Sequence, residues 1–237
     1  MGQRLTVRNY DDGAIILVGD DEEAMRHVLH VQLSARGHSV YEAGTGADIL
    51  QTVSELEPDV ILLDLGLPDI DGIEVTQRLR RSTQTPIIVL SARVADFDKI
   101  AALDAGADDY LTKPYQPSEL FERIRTALLR TTIQGESVFE AGDLVVDLSC
   151  QTVRIGNNQI QLTDAEYQLL KVLVLNAGKL MTQRHLASDV WGRHDNEALQ
   201  LLRTTIGSLR QKLETDPVRP RHIATESGVG FRLRTEP

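Results

Sequence analysis

Between Ala14 and Arg130 five short apolar runs, AIILV, HSVYE, DVILLD, PIIVLS and DYLT, alternate with stretches of helical periodicity. Those stretches are Glu22 to Ala35, Gly46 to Leu56, Gly72 to Arg81, Phe97 to Ala105 and Pro117 to Arg130. Strands that alternate with helices are not joined as hairpins; they build a parallel α/β sheet with helices on both faces. The strand interiors are continuously apolar, the pattern of strands covered on both sides. In such an open, doubly wound sheet, ligands sit beyond the carboxyl ends of the strands, where the strand order reverses. The residues that follow each run are therefore the ones to read for chemistry.

The second half is built differently. Small and polar residues, TTIQGESV, interrupt the alternation and read as a short linker. FEAGDLVVDL, QTVRIG and QIQL then read as short antiparallel strands, with Gly156 and Asn157 at a hairpin turn. A helix is expected over LTDAEYQLLKVLVLNAG, with Thr163 as N-cap, Glu166 three residues on and Gly178 past its end. Further helices over Gln183 to Val190 and Glu197 to Leu213 are followed by a hairpin, RHIATESGVGFRLR. Three helices closed by a hairpin describe an α+β winged helix-turn-helix. The expected organisation is a disordered extension over 1–13, a first domain over 14–132, a linker over 133–138 and a second domain over 139–237.

Charge separates the two domains. Residues 14–132 carry 11 Lys and Arg against 20 Asp and Glu, whereas residues 139–237 carry 12 of each. Within 190–234 the balance turns positive, 8 basic against 5 acidic side chains. An acidic domain suits a cation, and a locally basic end suits phosphates. The single cysteine, Cys150, excludes an internal disulfide and a cysteine-rich zinc site, and fits the reducing cytoplasm. No apolar run approaches the ~20 residues that span a bilayer, so no membrane role is expected.

Four strand ends carry carboxylates or their partners. The first strand runs into Asp20 and Asp21, the third into Asp64, the fourth into Ser91 and Ala92, and the fifth is followed by Lys113 and Pro114. A parallel sheet gathers all of them on one edge. Each has an ordinary alternative: Asp20, Asp21 and Asp64 as caps, Ser91 as a loop hydroxyl, Lys113 as a solvated charge. Independent caps have no reason to share three strand ends with a lysine at another. Three carboxylates in one pocket repel one another unless a cation joins them. Mg2+ suits the set, since it takes oxygen ligands and is held by one or two carboxylates plus a phosphate oxygen. Asp64 then serves as a nucleophile toward phosphorus, with Lys113 and the Ser91 hydroxyl placed to meet the arriving oxygens.

With these residues in place the chain resembles the two-component response regulators of the OmpR/PhoB subfamily, over about residues 14–234. The resemblance rests on VGDDE, LLDLGLPDIDG, VLSA and GADDYLTKP. Within that subfamily SARVADFDKIAALDAGADDYLTKP and DPVRPRHIATESGVGFR look most like the branch that controls potassium-transport genes. The resemblance implies phosphorylation of Asp64 by a sensor histidine kinase, and Mg2+ held by Asp20, Asp21, Asp64 and the Gly66 carbonyl. It implies that Ser91, Ala92 and Lys113 bind the phosphoryl group, and that Tyr110 swings inward as the switch aromatic. The chain then acts on no separate substrate; it promotes its own Mg2+-dependent phosphorylation and dephosphorylation. A two-fold homodimer is implied, pairing Lys99 with Glu119, Asp104 with Arg125, and Asp108 or Asp109 with Arg123. Gly19 departs from the family pattern of a bulky apolar residue before the acid pair, and is expected to loosen the strand end and the metal site.

The second domain is read as the DNA-binding part. A helix over Glu197 to Leu213 places Leu199, Leu202, Ile206, Leu209 and Leu213 on its core face. Arg203, Thr204, Thr205, Gly207, Ser208, Arg210 and Gln211 are left as candidates for DNA contact. In the hairpin, Arg221, Thr225, Arg232 and Arg234 are candidates for phosphate and minor-groove contact. The resemblance implies promoter DNA at tandem sites, the kinase and RNA polymerase as partners, the last through the loop at Trp191 to Arg193, in which Trp191 itself is read as a core anchor. Two rival readings compete with this one. An enzyme transferring phosphoryl groups to a small substrate needs a second acid beside the nucleophile, where Leu65 and Gly66 stand. A regulator of the same fold that ignores phosphorylation has no use for the acid trio and Lys113.

Overall fold

The computed structural model describes residues 13–133 and 138–236. The chain divides into two compact units, Met1–Thr132 and Ile133–Pro237. In the first unit the elements follow one another as β1 (Ile15–Gly19), α1 (Glu23–Ser34), β2 (Ser39–Ala43), α2 (Gly46–Leu56) and β3 (Val60–Leu63). They continue as α3 (Gly72–Arg80), β4 (Ile87–Ser91), α4 (Asp96–Asp104), β5 (Asp109–Thr112) and α5 (Pro117–Ile133). All strand pairs are parallel, in the order β2-β1-β3-β4-β5. The chain thus steps outward from β1 in one direction and returns to build in the other, which places the crevice at the ends of β1 and β3.

Burial follows strand position. Ile16, Leu17, Ile61, Leu63, Ile87 and Ile88, on the inner strands, are all 0% exposed. Each such side chain contributes about 1.5–3 kcal/mol by leaving water. At the sheet edge β2 departs from the expectation of a continuously apolar interior, exposing Ser39, Tyr41 and Glu42. Helix caps come from side chains at the expected kind of position: Thr45 for α2 and Asp71 for α3. Helix α5 continues through Ile133, into residues read from sequence as linker; 134–137, and residues 1–12 of the expected extension, lie outside the described residues.

The second unit begins with a four-stranded antiparallel sheet, β6 (Val138–Ala141), β7 (Leu144–Asp147), β8 (Thr152–Ile155) and β9 (Asn158–Gln159). Gly156 makes the β8–β9 turn with φ +55°, a conformation that costs a glycine little. Next come α6 (Asp164–Leu175), β10 (Met181–Thr182), α7 (Gln183–Trp191), α8 (Asn196–Leu213), β11 (Ile223–Glu226) and β12 (Gly230–Leu233). The capping box at α6 is complete: the Glu166 amide donates to Thr163 Oγ1 and the Thr163 amide to the Glu166 carboxylate. Leu170, Leu186, Leu202, Leu209 and Leu233, all 0% exposed, join the helices and the hairpin in one core. Strand β10 had no counterpart in the sequence reading. It pairs with β12, which becomes the middle strand of a sheet ordered β10-β12-β11. Among the described residues no helix is long and apolar enough to cross a membrane.

Candidate functional site

The site starts from strand register. Gly19 lies opposite Leu63, and the Asp64 amide donates to the Gly19 carbonyl at 2.7 Å. Asp20 and Asp64 therefore leave neighbouring strands side by side. Asp20, Asp21 and Asp64 each bring a carboxylate oxygen within 4.8 Å of the others. Asp20 is 2% exposed, Asp64 half-buried and Asp21 exposed, so the cluster opens outward through Asp21.

Lys113, beyond β5, donates to Asp20 Oδ2 and Asp64 Oδ2, both at 2.6 Å. Burial presses the Lys113 pKa down, but the hydrogen bonds and charges of Asp20 and Asp64 outweigh it and hold the ammonium above its ordinary value. Three carboxylates against one ammonium leave two negative charges in surplus. The donor set fits a hard divalent cation, which accepts oxygen ligands and balances that surplus.

The other strand ends complete the pocket. Ser91 closes β4 at 2% exposure, and its Oγ accepts from the Arg93 amide at 3.2 Å; Ala92 beside it is exposed. Tyr110, on β5, is 7% exposed and donates its hydroxyl to the Arg93 carbonyl at 2.7 Å. The ring expected to swing inward is already in. Burial raises the Tyr110 pKa, and its hydrogen bond with Ser91 works against that.

The acids after Asp64 divide the remaining work. Asp69 accepts from the amides of Gly46 and Ala47 at 2.7 and 3.0 Å, and those two bonds hold its carboxyl below the usual range. Asp71 caps α3 and accepts from Arg93 Nη2 at 2.6 Å. Gly66, exposed, donates its amide to Asp64 Oδ1 at 3.1 Å. At Gly72 a Cβ would stand 2.6 Å from the Asp64 carbonyl, so only glycine lets α3 start so close to the strand end. Sequence reasoning missed Asp69, Asp71 and Arg93. Each acts through a backbone group or a distant side chain, which no local spacing reveals.

Gly19 needs correcting. It was expected to leave the strand end loose, but the space is filled: a Cβ there would overlap Ile49 Cδ1 and lie 2.9 Å from Ile49 Cγ1. The Ile49 side chain reaches in from α2, and it is 0% exposed.

Two of the acids expected at a dimer face have partners within their own chain. Asp108 is 4% exposed; its Oδ2 accepts from Arg80 Nη2 and from the Ile87 amide. Asp109, 5% exposed, accepts from the Tyr110 amide and stands 3.4 Å from Arg123 Nε of its own chain. Arg123 also reaches Glu119, at 3.3 Å. Lys99 is half-buried, while Asp104, Glu119 and Arg125 are exposed.

In the second unit α8 exposes Arg203, Thr204, Gly207 and Gln211, with Ser208 half-buried. Arg203 Nε donates to Gln183 Oε1 at 3.0 Å, which ties it to the start of α7. Thr205, expected outward, is 6% exposed and returns its hydroxyl to the Leu201 carbonyl. Arg210 turns to the hairpin, donating to the Ile223 carbonyl at 3.1 and 2.5 Å and to Thr225 Oγ1 at 2.6 Å. Burial lowers its pKa. Arg232, expected to reach DNA, is 9% exposed and donates to the Gly178 carbonyl at 2.6 Å. It lies on the middle strand of its sheet, where both faces are covered. Arg221 and Arg234 are exposed, and Arg234 Nη1 lies 3.3 Å from the Arg221 carbonyl.

Comparison with known proteins agrees with this geometry. Residues 16–125 match the family described as response regulator receiver domain, and residues 157–233 match transcriptional regulatory protein, C terminal. The KDP operon transcriptional regulatory protein KdpE of Escherichia coli K12 is 48% identical over 220 residues, 92% of this chain and 98% of that protein. The transcriptional regulatory protein KdpE of Mycobacterium tuberculosis is 43% identical over 222 residues, with the same coverage. A solved OmpR/PhoB homologue from Thermotoga maritima, DrrB, aligns with TM-score 0.47 and 31% identity, covering 94% of this chain and 99% of that one. The chain belongs to the OmpR/PhoB type of two-component response regulators, a receiver domain followed by a DNA-binding transcriptional regulatory domain.

Proposed function

We propose that the chain is a phosphorylation-controlled transcription factor whose phosphoacceptor is Asp64. The observation that carries this reading is the single ammonium of Lys113 held between Asp20 and Asp64, 2.6 Å from each. An Asp64 oxygen attacks the phosphorus of a phosphohistidine in a sensor kinase, or of a small acyl phosphate, and the leaving nitrogen or oxygen departs with the bond electrons. Asp20, Asp21, Asp64 and the Gly66 carbonyl would hold Mg2+, which would supply positive charge where the phosphoryl oxygens gather. Lys113 keeps its contact with Asp20 and turns its other donors to the phosphoryl group, while Ser91 and the Ala92 amide take further oxygens.

Repositioning of Ser91 is felt by Tyr110 through Arg93, whose amide donates to Ser91 and whose carbonyl accepts from the Tyr110 hydroxyl, and so by the face of α4, β5 and α5. Two chains then pair about a two-fold axis through Lys99 with Glu119 and Asp104 with Arg125. The paired effector domains bind tandem promoter sites. Helix α8, 18 residues and roughly 27 Å long, enters the major groove with Arg203, Thr204, Gly207, Ser208 and Gln211 toward the bases. Arg221, Thr225 and Arg234 lie along the backbone, Thr225 keeping its hydroxyl hydrogen to donate. The loop at Trp191 to Arg193 faces RNA polymerase. Similarity to the two KdpE proteins supports a target among potassium-transport genes and a place of work in the cytoplasm.

Incubation with Mg2+ and acetyl phosphate tests the reading: one phosphoryl group is expected by intact mass in the wild type and none in Asp64→Asn. Label that persists in the variant would remove Asp64 from this role. Promoter selection from genomic DNA tests the target.

A further inference from the structure

The acid pair stands where the chain leaves β1 for α1, and its side chains are well supplied with partners. Asp20 Oδ1 accepts from the Glu22 amide at 2.9 Å, and Oδ2 from Lys113. Glu22, the N-cap of α1, makes no side-chain cap bond, so the usual anchor of a helix start is missing. The carbonyls of Asp20 and Asp21 are met instead from within the helix. Arg26, one turn along α1, reaches back and donates Nη1 to Asp20 O at 2.7 Å and to Asp21 O at 3.1 Å.

Arg26 is itself held. Its Nε lies 3.5 Å from Glu42 Oε2 on β2, and Glu42 Oε1 is 2.8 Å from His30 Nδ1 on α1. Gly44, just past β2, lies beside the guanidinium, and a Cβ there would meet Arg26 Nη1 in ordinary contact at 3.4 Å. Helix α1, edge strand β2 and the acid loop are thus joined through one planar group.

We propose that Arg26 is a positioning residue for the metal site, fixing the backbone of Asp20 and Asp21 so that both carboxylates address one cation. This rests on the reading of the acid trio as a divalent-cation site. Only carbonyl oxygens of the metal-bearing residues touch Arg26, so it is no ligand. Groups that orient ligands from behind govern affinity as strongly as many ligands do. Its charge alone argues for the opposite effect, because a cation beside the site repels another. Position and charge therefore predict opposite signs when the guanidinium is removed.

Calorimetric titration of Mg2+ alone into the full chain separates them. Arg26→Met is expected to weaken Mg2+ binding about 10-fold, Arg26→Lys to recover most of the loss by donating to the same carbonyls, and Glu42→Gln to show a smaller loss. Unchanged or tighter binding in Arg26→Met overturns the proposal while leaving the metal site standing. A wild type that binds no Mg2+ removes the metal reading and this proposal with it. Thermal unfolding is recorded for each variant. Should Arg26→Met fail to fold, Arg26→Gln, which also removes the charge that repels the ion and is too short to span to both carbonyls, decides by the same sign.

Discussion

The two domains spend their charged side chains in opposite ways. In the receiver the functional charges face one another: Lys113 spans Asp20 and Asp64, and Arg26 grips the backbone behind them. In the effector domain the basic side chains divide, Arg210 and Arg232 turning in to brace the hairpin, Arg203, Arg221 and Arg234 remaining exposed. A site that does chemistry must converge on one point, so topology alone assembles it. A surface that reads a polymer is spread out, and its arginines compete with the architectural needs of a small fold.

Breaking the receiver's convergence should give the largest effect. Without its lysine, buried Asp20 faces Asp64 uncompensated, and Lys113→Met is expected to lose about 3 kcal/mol of receiver stability. Denaturant unfolding with and without Mg2+ checks this, since the ion should return much of the loss. Equal stability of variant and wild type would mean that the contact organises nothing. In the effector domain the inward arginine comes next. Arg232→Ala leaves the Gly178 carbonyl unpaired and should cost about 2 kcal/mol of folding stability. Arg234→Ala should leave unfolding unchanged and reduce the salt slope of DNA binding by about one. If the two variants behave alike, the division between bracing and reading arginines fails.

Arg203→Ala is expected to weaken specific binding by about 1.5 kcal/mol and relax specificity at one base position, measured by titrating selected and scrambled duplexes. The smallest effect concerns Glu166, which caps α6 and meets Lys212 Nζ at 2.6 Å. Burial would raise its pKa, but Lys212 and Thr163 prevail and hold it below the ordinary glutamate value. A depressed carboxylate contributes stability above its unfolded pKa, and that contribution disappears as pH falls through the folded value. The stability of wild type should drop more than that of Glu166→Gln between pH 7 and about pH 3.5, by less than about 1 kcal/mol. Glutamine preserves the capping box, so an equal drop in both would exclude the Lys212 pairing as its source.

What the sequence revealed follows the same division. Strands that alternate with helices leave one arrangement of strand ends, and Asp20, Asp64, Ser91 and Lys113 were legible because each directly follows an apolar run. Arg232 was misread because β10 is two residues long, too short to show a period, and without it β12 passes for an edge strand. Thr205 was misread because it lies near the border of the helix face, where spacing separates inside from outside poorly. Asp108 lies just ahead of β5 and satisfies Arg80 from α3, a pairing across 28 positions that local pattern does not contain. Arg26 drew no reading from the sequence, since the carbonyls it meets are not displayed there.

Position 19 carries a lesson of its own. Because Ile49 occupies the volume that a side chain on β1 would claim, the strand and α2 share a single fixed compartment, and mass withdrawn on one wall is supplied by the other. A side chain added at position 19 must therefore displace the tip of Ile49, so that what one site tolerates depends on how far the other can yield.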